Sequence, residues 1–514
     1  MALANFFDKA ALAASEVLQG FNHGSFSELL ARQKVAVAFD ATAAGSFEGL
    51  TTLDLSANLL ARLYPSVALV PLQGGLDDVA ARLAAICRAI NPAIEITSSM
   101  TKASACIAVG DRRPRGRALM VFVGSDRWAV RVSAKRPVGL GVEKGNPFGA
   151  AAAACFGAAN VFRSLFRNQL LRGGLDRGFT LSLLDYLPNA KAPANPALPS
   201  RLNIGAAHLV GLGAIGNGFV WTLARIEGLS GSLNAIDHER IDLTNLQRYL
   251  LATQADVDLP KVDVVARELA KSELSVDPHH GRWSDYLRNR TDWRFERVAV
   301  ALDSAADRIA VQAALPKWTC NAWTQPGDLG VSRHAFLGDH ACLACLYLPS
   351  GVVPNDDELV ARAINMPESV REIRDFLHLN TPVGEGFVRR MATAMGVPPE
   401  PLLAFAEKPL RTFYAEAVCG GLLLKLGARG EKAATRAPLA FQSALAGVLL
   451  AAEFIADVAS LKSPPPPTVT RINLLRPLGK YLTAAEAKRS SGPCICQDPD
   501  YISAYKSKYT ANQA

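Results

Sequence analysis

The run Ala206-Ala-His-Leu-Val-Gly211-Leu-Gly213-Ala-Ile-Gly216 sets the architecture of the second half of the chain. It reads as an apolar strand ending in a G-x-G-x-x-G turn, with a helix expected from Asn217 to about Ile226. Gly211 permits the tight turn, Gly213 lets backbone approach a phosphate, and Gly216 lets the helix pack closely on the sheet. The helix N-terminus then offers N–H groups and positive dipole to an anion. A second strand, Ser232 to Ile236, leads into Asp237, twenty-one residues after Gly216, the distance at which an acid meets a nucleotide ribose. Strand, glycine turn, helix and acid together mark a mononucleotide site.

The residues beyond Asp237 say which nucleotide. Glu239, Asn245 and Arg248 follow within a short segment, Lys261 stands after Pro260, and Asp303 follows the strand Val298 to Ala301. A nicotinamide enzyme, for which only the glycine turn and Asp237 speak, has no need of these residues. An enzyme splitting ATP does. Arg248 and Lys261 neutralise a triphosphate under attack at its α-phosphorus, Asn245 binds its oxygens, and Asp303 at a strand end suits magnesium, a hard ion that prefers carboxylate oxygen.

The run from Leu209 to Arg308 resembles the adenylation domain of ubiquitin-activating enzymes and their bacterial relatives in thiamin and molybdopterin sulfur transfer. The family pattern is G-x-G-x-x-G, then D-x-D-x-I-x-x-S-N-L-x-R-Q, a lysine, and L-D-x-x-x-x-R. The resemblance implies a ribose acid at Asp237, phosphate contacts from Asn245 and Arg248, the lysine at Lys261 and the magnesium acid at Asp303. Three positions depart from the pattern: Glu239 replaces the second acid, Thr244 the serine and Tyr249 the glutamine.

Cys342 and Cys345 form a C-x-x-C pair and Cys494 and Cys496 a C-x-C pair near the C-terminus. Four thiolates brought together make a closed structural zinc site, and the family commonly has two such pairs in these places. Members that form a covalent sulfur link often carry their reactive cysteine between the first pair and the later apolar helix. Cys419, followed by Gly420 and Gly421, stands there, with Cys320 as the alternative nucleophile. Cys87, Cys106 and Cys155 read as core, and His279, His280, His334 and His340 form no catalytic or metal-binding pattern.

The first half shows apolar runs at Val35 to Phe39, Val67 to Val70, Ile107 to Val109, Leu119 to Val123 and Trp128 to Val132. Helical periodicity lies between them, at Leu53 to Arg62 and Leu76 to Ile90. That alternation predicts an α/β layer with a mainly parallel sheet. Where its first strand meets a helix, Asp40-Ala-Thr-Ala-Ala-Gly-Ser46 replaces a phosphate loop. Four prolines within Leu187 to Ser200 make an extended linker.

The resemblance therefore implies two Rossmann-like adenylation-type α/β domains, the first inactive and the second active. The expected divisions are an inactive domain at 1–186, the linker at 187–200 and the ATP-binding part at 201–350. A helical insertion carrying Cys419 occupies 351–436, and 437–514 completes the adenylation domain with the zinc-ligand segment. The order of halves and the strings Ser332-Arg-His334 and Cys342-Leu-Ala-Cys-Leu-Tyr347 resemble the activating enzymes of bacterial ubiquitin-like (Bil) defence operons. What this implies is Mg·ATP-driven adenylation of the C-terminus of a ubiquitin-like protein, capture as a cysteine thioester and transfer to a conjugating enzyme. A sulfur-carrier adenylyltransferase and a nucleotide-binding scaffold without catalysis are the other readings.

Composition bounds the rest. The chain has 514 residues, 49% apolar and 20% charged, which excludes wholesale disorder and allows about three domains. Its net charge of +8 suits an acidic partner or a polyphosphate and does not call for nucleic acid. Nine cysteines exclude a disulfide-dense scaffold. Asp8 and Glu16 near the start speak against a signal peptide. The apolar run Phe148 to Phe162 is shorter than the roughly 18 residues of a membrane span. A cytoplasmic protein with no membrane partner is expected.

Overall fold

The computed structural model describes residues 3–349, 356–418, 437–462, 467–489 and 494–510. They form two compact units. One consists mainly of Arg32–Leu348 with Pro438–Ala514 and holds two sheets; the other joins Asn5–Ala31 to Pro349–Ala437.

In the first sheet, β1 (Val35–Phe39) is buried at every position, as a strand covered on both faces must be. It runs parallel with β2 (Ser66–Pro71), β3 (Glu95–Thr97), β4 (Ala105–Val109) and β5 (Leu119–Asp126), while β6 (Ala129–Ser133) pairs antiparallel with β5 and β7 (Gly178–Ser182) antiparallel with β6. The order is β3-β2-β1-β4-β5-β6-β7. The order reverses between β1 and β4, where a doubly wound sheet opens its ligand crevice. Here the chain's own carboxylate sits at that point. Asp40, directly after β1, accepts the backbone N–H groups of Ala43, Asp111 and Arg112 at 3.1, 2.7 and 2.8 Å. This accounts physically for an α/β half without a phosphate loop.

The segment after β7 has no regular structure but is not loose. Ser182 Oγ donates to the Ala194 carbonyl at 2.5 Å and Trp128 Nε1 to the Pro196 carbonyl at 3.1 Å.

The second sheet contains β8 (Leu202–Val210), β9 (Leu229–Asp237), β10 (Glu273–His280), β11 (Arg297–Val300), β12 (Trp318–Thr324), β13 (Leu329–Ala335), β14 (Val469–Ile472) and β15 (Thr483–Ala484). Their order is β10-β9-β8-β11-β12-β13-β14-β15; neighbours from β10 to β12 pair parallel, and each pairing from β12 to β15 is antiparallel. Its switch point lies between β8 and β11. The helix expected from Asn217 starts three residues earlier, as Ala214–Leu223, because Gly213 is its N-cap. The helix Ala440–Val458 lies against it so closely that a Cβ on Gly447 would collide with the Ile215 carbonyl.

Two helices are long and apolar enough to cross a membrane, Phe148–Leu165 and Ala440–Val458. Both are 89% buried within this unit, where Phe162 meets Phe441 at 5.7 Å between ring centroids. They are core helices, and their apolarity follows from burial on all sides.

The second unit contains the helices Phe7–Ser15, His23–Ala31, Asp356–Ala363, Val370–Leu379 and Glu385–Met395. Ile373, Leu377, Phe387, Met391, Leu402 and Phe413 belong to its core. The stretch Asn5–Ala31, expected within the first α/β half, clusters with the helical insertion instead. It carries no strand, and the sheet of the first half begins only at Val35.

Candidate nucleotide site and cysteine cluster

The glycine turn closes the C-terminal end of β8 against the loop after β11. Gly211 has φ +93°, and a Cβ there would stand 2.7 Å from the Ala301 carbonyl. A Cβ on Gly216 would strike the Gly211 carbonyl. These two positions therefore require glycine for different reasons, backbone conformation at Gly211 and close packing at both. Gly213 is the N-cap of the helix Ala214–Leu223, whose first-turn N–H groups lack intrahelical acceptors.

Asp237 ends β9. It accepts the Leu212 N–H at 2.7 Å through Oδ2 and the Glu239 N–H at 2.8 Å through Oδ1. Oδ2 thereby holds the glycine turn in place, and each carboxylate oxygen has a second lone pair with which to accept a further hydrogen bond.

Lys261 starts the helix Lys261–Leu269, and its side chain is only 3% exposed. Its ammonium pairs with Glu239. Burial works against its charge, but Tyr249, Asp237 and Glu239 more than offset that and hold the lysine above its ordinary pKa. Glu239 sits below the usual carboxylate range: burial opposes the shift and Lys261 dominates it. Tyr249, the residue in place of the family's glutamine, lies under both cations. Lys261 Nζ stands 5.1 Å and the Arg248 guanidinium 5.4 Å from its ring centroid. Its hydroxyl comes within 3.6 Å of where a Cβ on Gly213 would be. Asn245 accepts the Asp242 N–H at 3.1 Å in a capping box, so its amide N–H₂ is what it can offer a phosphate.

Asp303 is exposed, two residues beyond Ala301 at the mouth of the switch point. Arg308 donates to the Leu302 carbonyl beside it and lies 4.5 Å over the Tyr347 ring. Asn321 donates to the Tyr347 hydroxyl at 3.1 Å and to Ser332 Oγ at 3.3 Å, and Ser332 meets His334 at 2.9 Å. A continuous polar chain thus runs from β13 through the helix Leu343–Tyr347 to the Asp303 loop. Asn217 makes a comparable tie: it donates to the Leu212 and Gly213 carbonyls and accepts the Leu251 N–H at 3.1 Å. Neither Tyr347 nor Asn217 was expected at the site, although a polar residue directly after Gly216 in an apolar helix is a visible signal.

The four cysteines converge. Sγ separations are 3.8 Å for Cys342–Cys345, 3.6 Å for Cys342–Cys494, 3.3 Å for Cys345–Cys494 and 3.6 Å for Cys345–Cys496. All four sulfurs lie within 4.8 Å of one another. Tetrahedral bonds of about 2.3 Å place sulfurs about 3.8 Å apart, so the donor set fits zinc in both softness and spacing. The C-x-C spacing of the second pair does not prevent convergence.

Of the two candidate nucleophiles, Cys419 lies outside the described residues, directly after the π-helical turn Tyr414–Val418. Cys320 is wholly buried on β12. Burial first, then the Glu453 and Asp457 carboxylates, push its thiol well above its ordinary pKa. A thiol so enclosed does not meet a protein terminus, and the alternative nucleophile is set aside.

The ThiF family model matches residues 196–494, and the model described as Prokaryotic E2 family C matches residues 38–167. The reading of the first half as an inactive adenylation copy therefore rests on its α/β sheet alone. An uncharacterized protein of Sinorhizobium fredii, y4jF, is 49% identical over 510 residues, covering 99% of this chain and 98% of that protein. The adenylyltransferase and sulfurtransferase MOCS3 of Culex quinquefasciatus is 27% identical over 154 residues, 29% of this chain and about a third (34%) of the mosquito protein. The solved structure of E. coli MccB with ATP covers 57% of this chain and 67% of its own at 16% identity and a TM-score of 0.35. With more than half of its residues matched by that one model, the chain belongs to the ThiF family.

Proposed function

We propose that this protein is an ATP-dependent adenylyltransferase that activates the C-terminal carboxylate of a ubiquitin-like protein. The observation that carries the reading is the convergence at one switch point of the Gly211–Gly216 turn, the Lys261–Tyr249–Arg248 cation stack and the Asp303 loop. Family membership and the name of the mosquito relative support it. A carboxylate oxygen attacks the α-phosphorus of ATP, the bond to the β-phosphate bridging oxygen breaks, and pyrophosphate leaves. Lys261 and Arg248 neutralise the charge that moves onto the leaving group, and the helix N-terminus after Gly213 holds the α-phosphate. Magnesium, held by Asp303, would screen the phosphate charge.

In the second step a Cys419 thiolate displaces AMP to give the thioester, which passes to a conjugating enzyme. The E2-family match makes the first half a candidate for receiving it. Its three cysteines speak against that: Cys87, Cys106 and Cys155 are all buried, and burial pushes the first two thiols up to about 12. The first half is therefore a docking and support domain in this scheme. A cytoplasmic setting and a part in bacterial antiviral defence complete the reading.

Intact-mass analysis with Mg·ATP and a ubiquitin-like protein ending in free glycine tests it. A partner-sized adduct, cleaved by excess thiol through thioester exchange and lost in Cys419→Ala, is expected. Adenylated partner without adduct would move the reading to sulfur-carrier adenylation. Neither species would leave a nucleotide-binding scaffold.

A further inference from the structure

Arg62, just past the helix Phe47–Ala61 of the first half, is 1% exposed, and among the described residues no carboxylate pairs with it. Instead its guanidinium donates to three carbonyls of one segment in the second half. These are Leu246, Leu250 at 3.1 Å and Ala252 at 3.2 Å. Its Nε donates to Asn58 Oδ1 at 2.9 Å, and Asn58 Nδ2 donates to the same Leu250 carbonyl at 3.0 Å. Gln254 adds a bond to the Ile90 carbonyl at 2.8 Å.

The gripped segment begins one residue after Asn245 and contains Arg248 and Tyr249. Its other side is tied to the glycine turn through Leu251 and Asn217. Carbonyl oxygens facing a triphosphate would repel it. Three of them are turned toward a buried cation, while the Tyr249 ring of the same segment meets Arg248 and Lys261. A buried cation without a counter-charge costs several kcal/mol, so packing alone would favour an apolar side chain of like volume.

We infer that Arg62 is a positioning residue: the first half, through Arg62 and Asn58, sets the placement of the 246–252 segment and thereby of Arg248 and Tyr249 against the nucleotide. The inference deepens the adenylation reading and rests on it for the identity of the ligand.

The test uses the full chain as wild type, Arg62→Met, Arg62→Lys and Thr52→Val. Thr52 is an equally buried residue of the same helix whose hydroxyl contacts only the first half. Hydrogen exchange of residues 246–252 and the ATP dependence of pyrophosphate exchange are measured. In Arg62→Met the segment exchanges about tenfold faster while β1 and β4 do not. The KM for ATP rises about tenfold with a smaller change in kcat. Arg62→Lys falls between, and Thr52→Val matches wild type. Unchanged exchange at 246–252, or acceleration spread equally over β1 and β4, overturns the inference. If Arg62→Met fails to fold, the same comparison is read from Arg62→Lys. If wild type does not process ATP, the adenylation reading fails, and the exchange of the 246–252 segment still decides the role of Arg62.

Discussion

At the residue scale, an aromatic ring stands where the family pattern has an amide. Tyr249 replaces a polar residue of the family pattern and supports Arg248 and Lys261 from below. A cation over a ring contributes about 0.5–2 kcal/mol. Tyr249→Phe keeps the ring and is expected to leave the KM for ATP near wild type; Tyr249→Leu should raise it about tenfold. Equal effects of the two changes would show that the hydroxyl, and not the ring, is what matters. Lys261→Met is more severe: pyrophosphate exchange should fall about 100-fold, since the cation acts on charge that develops in the reaction. A cooperative melt near the wild-type temperature separates this loss from unfolding. Asp237 and Glu239 stand at and just beyond the end of β9, Asp303 stands beyond β11, and Lys261 opens a helix after Pro260, all places that the apolar pattern marks. Tyr249 stood out only as a departure from the family pattern, because its contact with Lys261 is a tertiary arrangement that no local spacing announces.

At the scale of elements, the short helix Leu343–Tyr347 joins the cysteine cluster to the Asp303 loop. Cys342 and Cys345 flank its first turn, and Tyr347 at its end sits beneath Arg308, which holds Leu302. Zinc held by the four sulfurs would therefore bear on the geometry of Asp303. Elemental analysis should find one zinc per chain, lost in Cys345→Ser. That variant should melt lower and require more magnesium for half-maximal pyrophosphate exchange. Full zinc in Cys345→Ser, or an unchanged magnesium requirement in its absence, would break the link. The helix Ala440–Val458 and strand β1 fall where the apolar runs place them. The helix Phe47–Ala61 extends six residues before its expected start because Ser46 caps it, accepting the Gly49 N–H at 3.0 Å. Its apolar stripe was readable; that Arg62 at its end reaches the 246–252 segment was not, because the contact is to backbone carbonyls, which have no sequence signature.

At the scale of the molecule, a buried ionic knot fastens the two sheets together. Glu453 accepts Tyr186 Oη at 2.5 Å, Arg333 Nε and Nη2 at 2.8 and 2.7 Å, and Lys462 Nζ at 2.5 Å. Tyr186 comes from the first half and the others from the second. Burial opposes the Glu453 charge, but Arg333 and Lys462 hold its carboxyl down to about 2. A carboxyl with a lower pKa folded than unfolded stabilises above the unfolded value, about 4.3, and loses that contribution as pH falls toward the folded one. Melting should therefore drop between about pH 4.5 and 2. Glu453→Gln, which leaves two cations uncompensated, should cost about 3–5 kcal/mol at neutral pH and flatten that acid limb. An acid limb identical in the variant would remove Glu453 as its source. The α/β character of both halves was legible from alternating strands and helices. The knot was not, since its members are far apart in the chain, and the clustering of Asn5–Ala31 with the insertion was hidden for the same reason.

The central claim is that ATP is used to activate a carboxylate, and ATP–pyrophosphate exchange tests it most directly. With Mg·ATP and a ubiquitin-like protein ending in free glycine, wild type should exchange label, while Asp303→Ala or a C-terminally amidated partner should abolish it. Exchange that persists with the amidated partner, or ATP binding with no exchange under any condition, would contradict the account.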